Sequence, residues 1–323
     1  MARTAYIERT GGPEVIQWRD VTLAEPAAGE VRMRNTAVGL NFIDTYHRGG
    51  LYPIDMPSGL GTEAAGVIEA VGADVTDFAP GDRVATFGPT RGAYATARNL
   101  PARDLFKLPT HIDDRTAAAL MLKGATTEFL VERCARVQAG QTVLVHAGAG
   151  GVGQLLCGWL KAIGATVIAT VGTQEKVATA KAAGADHVIR YREVDTAEAV
   201  RAIVPDGVAV TFDGVGKATW PASLAATTRR GLVVSYGNAS GAVDGVNLGL
   251  LARSGSLFVT RPTLFDYYVT PEERRAGIAR VFEMLSRGAI AATIGQTFAL
   301  ENVADAHRAL EAGKTQGSTV LLP

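Results

Sequence analysis

The stretch TVLVHAGAGGVGQLLCGWLKAIG, residues 142–164, constrains the fold of this chain more than any other. A β-branched and apolar run leads into clustered glycines, and a helix-forming segment follows them. Gly148, Gly150 and Gly153 fall on the G-x-G-x-x-G spacing. At that spacing the first glycine permits a tight turn, the second lets backbone approach a pyrophosphate, and the third lets the helix pack on the sheet. Amides at the start of the helix, at the positive end of its dipole, then face phosphate oxygens. A glycine triplet alone is weak evidence. This one has a strand before it, a helix after it and a second strand, TVIATVG, beyond, so it predicts a βαβ unit that binds a dinucleotide.

The end of that second strand separates NAD from NADP, because an NAD site places Asp or Glu there to accept from the ribose hydroxyls. Here the residues are Thr170, Val171, Gly172 and Thr173, with no acid until Glu175 and then Lys176. An acid-free end followed by a lysine accommodates a 2′-phosphate and favours NADPH. A lone lysine is more often a solvated charge on a helix face, so the missing acid is the firmer half of the argument.

The rest of the chain reads as two domains, in keeping with 323 residues and 47% hydrophobic content. Roughly the first 120 residues form short strands broken by turn residues: TAYIE, VIQW, EVRMRNTAV, GVIEAV, DRVATF and AYATA. Val31 and Met33 alternate with Arg32 and Arg34 in the period of a half-buried strand. This half predicts a small barrel. From about Asp113 the composition turns helical, and from Thr142 β-branched runs alternate with alanine-rich helical segments, as in a doubly wound parallel sheet. After Pro262 a helix, PEERRAGIARVFEMLSRG, precedes the strand QTFAL, a helix from Asn302 to Glu311 and the terminal strand STVLLP. That mixed tail is expected to return to the first domain. The fold class is α/β, with boundaries expected at 1–121 plus 265–323 for the barrel domain and 122–264 for the nucleotide domain.

Several function classes are disfavoured. Lys plus Arg and Asp plus Glu each total 32, so no broad basic field collects nucleic-acid phosphates. Cys134 and Cys157 lack metal or disulfide spacing and fit buried thiols in a reducing compartment. The N-terminus meets charge at Arg3, Glu8 and Arg9 and lacks the apolar core of a secretory signal, which points to the cytoplasm. Val137–Leu160 has no charged residue and is nominally long enough to span a bilayer, but its glycines suit a strand, loop and helix better.

The segments GLNFIDTYHRGGLYP (39–53), GLGTEAAGVIEAVG (59–72), GDRVA, LKGATTEFL (122–130), the glycine-rich unit, YREVD, FDGVG, RRGLVVSYGNASGAVDGVNLG and VTRPTL together resemble the zinc-free quinone oxidoreductase branch of the medium-chain dehydrogenase/reductase superfamily. That group includes zeta-crystallin, and the likeness runs from end to end. It implies a GroES-like β-barrel catalytic domain plus a Rossmann domain. It also implies that Asn41, Tyr46, Tyr52, Thr126, Phe129, Val215, Gly237, Asn238, Ser240, Pro262, Thr263 and Leu264 meet the nicotinamide and ribose side of NADPH. The pyrophosphate is then expected over Gly151, Val152 and Gly153, and the 2′-phosphate beside Lys176 and Tyr191. Bacterial relatives place an arginine near the C-terminus against that phosphate, where this chain has Gly313 followed by Lys314.

The positions that hold zinc ligands in the alcohol dehydrogenase branch carry Asn41, Thr62 and Lys123 here, which leaves no thiolate and imidazole pair for a tetrahedral site. Chemistry without metal is expected. Of the histidines, His47 alone lies near the implied site, and all five are expected to be structural or surface groups. Asp44 is expected to pair with Lys123 or to orient the pocket. Tyr46 and Tyr52 read equally as packing aromatics or as donors to substrate. Asn41, Tyr46, Tyr52 and Thr126 are the candidate catalytic donors for hydride transfer to a quinone, whose product phenolate is already stabilised by its ring and needs little acid help. Reduction of an activated double bond, as in a 2-alkenal or enone, shares the same hydride step and is the first alternative. A nucleotide-regulated RNA-binding role is the second, disfavoured by the charge balance. The edge strand SLFVTRP is expected to pair across a twofold axis in a homodimer.

Overall fold

The alternation of Val31 and Met33 with Arg32 and Arg34 is realised in a central strand, where both apolar side chains are fully buried and Arg34 is exposed. A computed structural model describes residues 1–323. The chain divides into one unit of Met1–Leu122 with Ala292–Pro323 and a second of Lys123–Ala291.

In chain order the first unit contributes β1 (Ala2–Ile7), β2 (Gln17–Val21), β3 (Glu30–Leu40), α1 (Phe42–Gly49), β4 (Ser58–Gly59), β5 (Glu63–Val71), β6 (Arg83–Phe87), β7 (Ala97–Pro101) and β8 (Leu105–Lys107). Helix α2 (Asp114–Glu128) carries the chain into the second unit and runs on as a π-helical turn, Phe129–Ala135. There follow β9 (Thr142–Val145), α3 (Gly151–Ala162), β10 (Thr166–Val171), α4 (Glu175–Ala182), β11 (His187–Arg190), α5 (Thr196–Ile203), β12 (Val208–Asp213), α6 (Trp220–Ala226), β13 (Thr227–Ser235), α7 (Leu248–Arg253), β14 (Phe258–Thr260) and α8 (Pro271–Ser286). The tail adds β15 (Ile294–Ala299), α9 (Val303–Glu311) and β16 (Ser318–Leu322) to the first unit.

The first unit holds a small sheet in the order β2-β1-β4 and a larger one in the order β15-β16-β3-β5-β6-β8, with β7 also paired to β3. Its core gathers Ile7, Met33, Leu40, Leu60, Tyr94 and Leu100. The AYATA segment is a strand only from Ala97 onward. Residues 93 and 94 instead donate their backbone amides to Gly61 and Leu60, and Ala95 makes a single bridge to Thr4, so this stretch passes from one sheet to the other.

The second unit is a wholly parallel sheet in the order β11-β10-β9-β12-β13-β14. The chain winds outward from β9 to β10 and β11, then crosses back to β12 on the other side of β9. That reversal is a topological switch point, and ligands of such sheets bind beyond the carboxyl ends of the strands flanking it. The uncharged stretch 137–160 resolves into β9, the glycine turn and most of α3, and no helix is long and apolar enough to cross a membrane.

The tail differs from expectation between residues 265 and 291, which belong to the second unit rather than the first. Arg133 Nη1 donates to Tyr267 O at 2.9 Å, Tyr268 Oη donates to the buried Glu128 Oε2 at 2.8 Å, and Arg280 pairs with Glu132 at 2.9 Å. Amphipathic α8 has an apolar face in its sequence, but only these partners on 128–133 say which surface that face covers.

Candidate active site

The glycine turn sits at the switch point, directly after β9. Its left-handed residue is Ala147 (φ +55°), not Gly148 as the spacing suggested. Gly148 is required for space: a Cβ there would stand 2.6 Å from Ala169 Cβ, and one on Gly153 would stand 2.2 Å from Ala147 O. The first helical bond of α3 runs from Gln154 N to Gly150 O at 2.9 Å. The amides of Gly151, Val152 and Gly153 precede it and point out of the helix start, a ready anion cradle.

A buried chain of side chains fixes this turn from beneath. Ser223 Oγ donates to Asp213 Oδ2 at 2.6 Å, so at 3.1 Å from His146 Nε2 it acts as acceptor. His146 therefore carries its proton on Nε2 and accepts on Nδ1 from Thr170 Oγ1 at 3.1 Å, while that hydroxyl accepts from Ala147 N at 3.3 Å. Burial holds the His146 imidazole below its ordinary pKa, in keeping with this neutral form. The other oxygen of Asp213 accepts the amides of Val215 and Gly216, each at 2.9 Å. One network thus locks the loop after β9 to the loop after β12. Thr170, expected as a cofactor contact, has its hydroxyl engaged inside this support.

Ser240 Oγ donates to Val215 O at 2.8 Å, a Cβ on Gly237 would meet Gly214 O at 2.3 Å, and the amide oxygen of Asn238 accepts from Arg261 Nη2 at 3.0 Å. Val215, Gly237, Asn238 and Ser240 are accordingly brought together. After β14, Pro262 is half-buried, Thr263 is exposed and Leu264 is buried. Phe129 stacks on Tyr267 with ring centroids 4.7 Å apart, and Thr126 is half-buried near the end of α2.

At the end of β10, Gly172 lies so close to Tyr191 that a Cβ would come within 2.9 Å of its hydroxyl. The Arg192 guanidinium sits 5.9 Å from the Tyr191 ring centre, and partial burial followed by the Arg192 charge holds the Lys176 ammonium below its usual pKa. Two cations and a phenol therefore gather beside Gly172 and Thr173; β10 itself ends without an acid, and the carboxylate that meets the Thr173 side chain is Glu175 at the start of α4. Arg192 was missed in sequence; its only signal was a basic residue adjoining Tyr191. Gly313 and Lys314 lie in the first unit, just after α9.

In the first unit, Asn41 heads α1. Its backbone N–H donates to Asp44 Oδ2 at 2.9 Å, and its amide Nδ2 donates to Glu63 Oε2 at 2.8 Å. Glu63 Oε1 in turn accepts Leu122 N at 2.7 Å. Asp44 also accepts from Thr62 Oγ1 at 3.1 Å and Tyr94 Oη at 2.9 Å. Full burial pushes its carboxyl up to about 6, against the pull of those donors. Tyr46 and Tyr52 meet edge to face at 5.1 Å and stay half-buried. His47 is held down to about 4 by burial and then by Arg91, so it is neutral near pH 7, as befits a structural group. Cys157 is buried with its thiol pushed up to about 12, and both cysteines are free.

A β unit joined through a helix to a parallel sheet, with a phosphate cradle at the sheet's switch point, defines a dinucleotide-dependent member of the medium-chain dehydrogenase/reductase superfamily. Residues 27–110 match the alcohol dehydrogenase GroES-like domain family and residues 151–283 the zinc-binding dehydrogenase family. The chain is 49% identical over 326 residues to a quinone oxidoreductase of Pseudomonas aeruginosa, covering 100% of both. It superposes with a TM-score of 0.97 on the Escherichia coli quinone oxidoreductase solved in complex with NADPH, at 44% identity over 99% of this chain and 100% of that one. A 2-haloacrylate reductase from Burkholderia is 42% identical over 331 residues, 100% of this chain and 99% of that protein. The chain belongs to the quinone oxidoreductase family and is an oxidoreductase enzyme.

Proposed function

We propose that this protein reduces quinones with NADPH and does so without metal. The observation that carries the reading is the end of β10, where Lys176, Tyr191 and Arg192 gather beside Gly172, the strand carries no acid, and the nearby Glu175 is engaged with Thr173. NADPH in the Escherichia coli relative supports the same cofactor here. Asn41 and Thr62, at positions of metal ligands in the zinc branch, are engaged with Glu63 and Asp44, and their amide and hydroxyl are poor zinc donors.

NADPH, when bound, supplies a hydride from C4 of its nicotinamide. Gly151, Val152 and Gly153 offer their amides to the pyrophosphate, and Lys176, Tyr191 and Arg192 take the 2′-phosphate. Phe129, Val215, Gly237, Asn238, Ser240, Pro262, Thr263 and Leu264 shape the nicotinamide and ribose end. Asn41, Tyr46, Tyr52 and Thr126 are the proposed donors to the oxygen on which charge grows as the quinone is reduced. One proton must reach that oxygen, and the phenolate needs little help to wait for it.

The 2-haloacrylate reductase relative favours a second reading, reduction of an activated carbon–carbon double bond. The test measures NADPH oxidation with 1,4-benzoquinone, 9,10-phenanthrenequinone, a 2-alkenal and 2-chloroacrylate, with NADH as the comparison. We expect the quinones to be fastest and NADPH to be preferred. A much faster alkenal or haloacrylate rate overturns the substrate assignment, and a preference for NADH overturns the cofactor.

β14 is the last strand of its sheet, and its Phe258 is 64% exposed. Antiparallel pairing of two such edges gives the homodimer proposed here. Sedimentation as a single chain at micromolar concentration would count against it.

A further inference from the structure

Behind Asn41 the first unit contains a line of buried polar side chains that the proposed hydride transfer does not use. Arg48 on α1 is only 4% exposed, and its Nη1 lies 2.9 Å from His307 Nδ1 on α9. His307 Nε2 lies 3.0 Å from Tyr94 Oη, and Tyr94 Oη lies 2.9 Å from Asp44 Oδ2. His307, Tyr94 and Asp44 are all fully buried. At its outer end Arg48 pairs with Glu311 at 2.5 Å and donates from Nε to Gly11 O at 3.0 Å.

The direction of every link follows from the first. A guanidinium has no acceptor atom, so His307 Nδ1 must present its lone pair to Arg48. Burial and the Arg48 charge hold this imidazole down to about 3, so it is neutral near pH 7 and its single proton is on Nε2. Nε2–H then donates to Tyr94 Oη, whose own proton has one destination, Asp44 Oδ2. Charge-assisted hydrogen bonds aimed at a carboxylate favour its ionised form. They oppose the burial and the Glu63 charge that push the Asp44 carboxyl up, alongside the donors Asn41 N–H and Thr62 Oγ1.

We propose that Arg48, His307 and Tyr94 form a one-way hydrogen-bond relay that keeps Asp44 ionised and thereby fixes Asn41 at the head of α1. Tyr94 and His307 are then positioning residues for the reaction. A protonated Asp44 has one acceptor oxygen fewer for three donors, and the contact with Asn41 N–H is among those at stake. Loss of the relay raises the pH at which Asp44 takes up its proton. The inference rests on the proposed quinone reduction for its kinetic readout only.

The test compares kcat/KM for NADPH-dependent reduction of 1,4-benzoquinone across pH in the wild type, Tyr94→Phe, His307→Leu and His307→Gln. In Tyr94→Phe and His307→Leu the acidic limb is expected to move up by about one pH unit, a tenfold change in proton affinity. A glutamine amide can accept from Arg48 and donate to Tyr94, so His307→Gln is expected to keep the wild-type limb. If His307→Gln behaves as His307→Leu, or if neither Tyr94→Phe nor His307→Leu shifts the limb, the proposal is overturned. Long-range 1H–15N correlation on the full-length wild type reads the tautomer independently of activity and of variant folding. We expect His307 to hold its proton on Nε2 and to stay neutral down to about pH 5. A proton on Nδ1, or titration near the ordinary histidine value, overturns the relay. A wild type that fails to reduce quinones removes the functional reading and leaves this measurement standing.

Discussion

Ser223 Oγ donates a hydrogen bond to Asp213 Oδ2 across 2.6 Å while accepting one from His146 Nε2 at 3.1 Å, and so joins the ends of β12 and β9 through one buried oxygen. Ser223→Ala leaves a buried imidazole N–H and a carboxylate oxygen each short of a partner. The expected cost is about 1–3 kcal/mol of stability. Because the network ends on Ala147 in the glycine turn, KM for NADPH is expected to rise several-fold with a smaller change in kcat. Thermal unfolding and steady-state kinetics check the two parts, and an unchanged KM would show that the turn holds its shape unaided.

Asn41 and Glu63 are coupled in the same manner in the first unit. Glu63 spends one carboxylate oxygen on Asn41 Nδ2 and the other on Leu122 N. In Glu63→Gln the new NH2 must face one of those two donors. Stability is expected to fall by about 1–3 kcal/mol, and kcat with 1,4-benzoquinone by about tenfold, since Asn41 loses the anchor that orients it. Wild-type kcat in a folded Glu63→Gln would remove Asn41 from the proposed donors.

What the sequence disclosed was local. Gly148, Gly150 and Gly153 lie within six positions of one another, and the strand and helix they require adjoin them, so the nucleotide fold was legible without tertiary information. The bare end of β10 was legible for the same reason. Arg192 was not, because only the return of the chain through β11 places it beside Lys176. His307 and Arg48 are separated by 259 positions, and no periodicity in either helix marks the other as its partner. Helix α8 falls in the second unit against expectation because an amphipathic pattern specifies a buried face and says nothing of which surface buries it. The buried Glu128 and the half-buried Glu132 and Arg133 decide that, and they act through Tyr268, Arg280 and Tyr267.

The cationic group at the end of β10 makes a prediction about cofactor choice. Lys176→Met and Arg192→Met are each expected to raise KM for NADPH about tenfold, the loss of one charge-assisted contact to a phosphate. KM for NADH, which has no 2′-phosphate, is expected to change less than about twofold. Equal losses with both cofactors would mean that these side chains support the loop rather than recognise the phosphate.

Stability against pH should be governed by buried imidazoles. His307 and His47 are held down to about 3 and about 4 in the folded protein, and burial lowers His146 as well, against an ordinary value of 6.5. Unfolding at acid pH lets each of them take up a proton, so the stability they support is full above pH 6.5 and drains as pH falls toward the folded values. His307 and His47 each cost about 1.4 kcal/mol per pH unit within that window. Asp44 acts oppositely: its folded value of about 6 lies above the ordinary 3.8, so its contribution grows as pH falls through 6. His307 and His47 against Asp44 leave a net loss of a few kcal/mol by about pH 4, and His146 acts in the same direction as the other imidazoles. The melting temperature is therefore expected to be level from about pH 8 to 7 and to fall steadily below about 6.5. His307→Gln, which removes one titrating group, should make that fall shallower. A melting temperature that stays level down to about pH 5 would mean that these imidazoles charge without opening the fold.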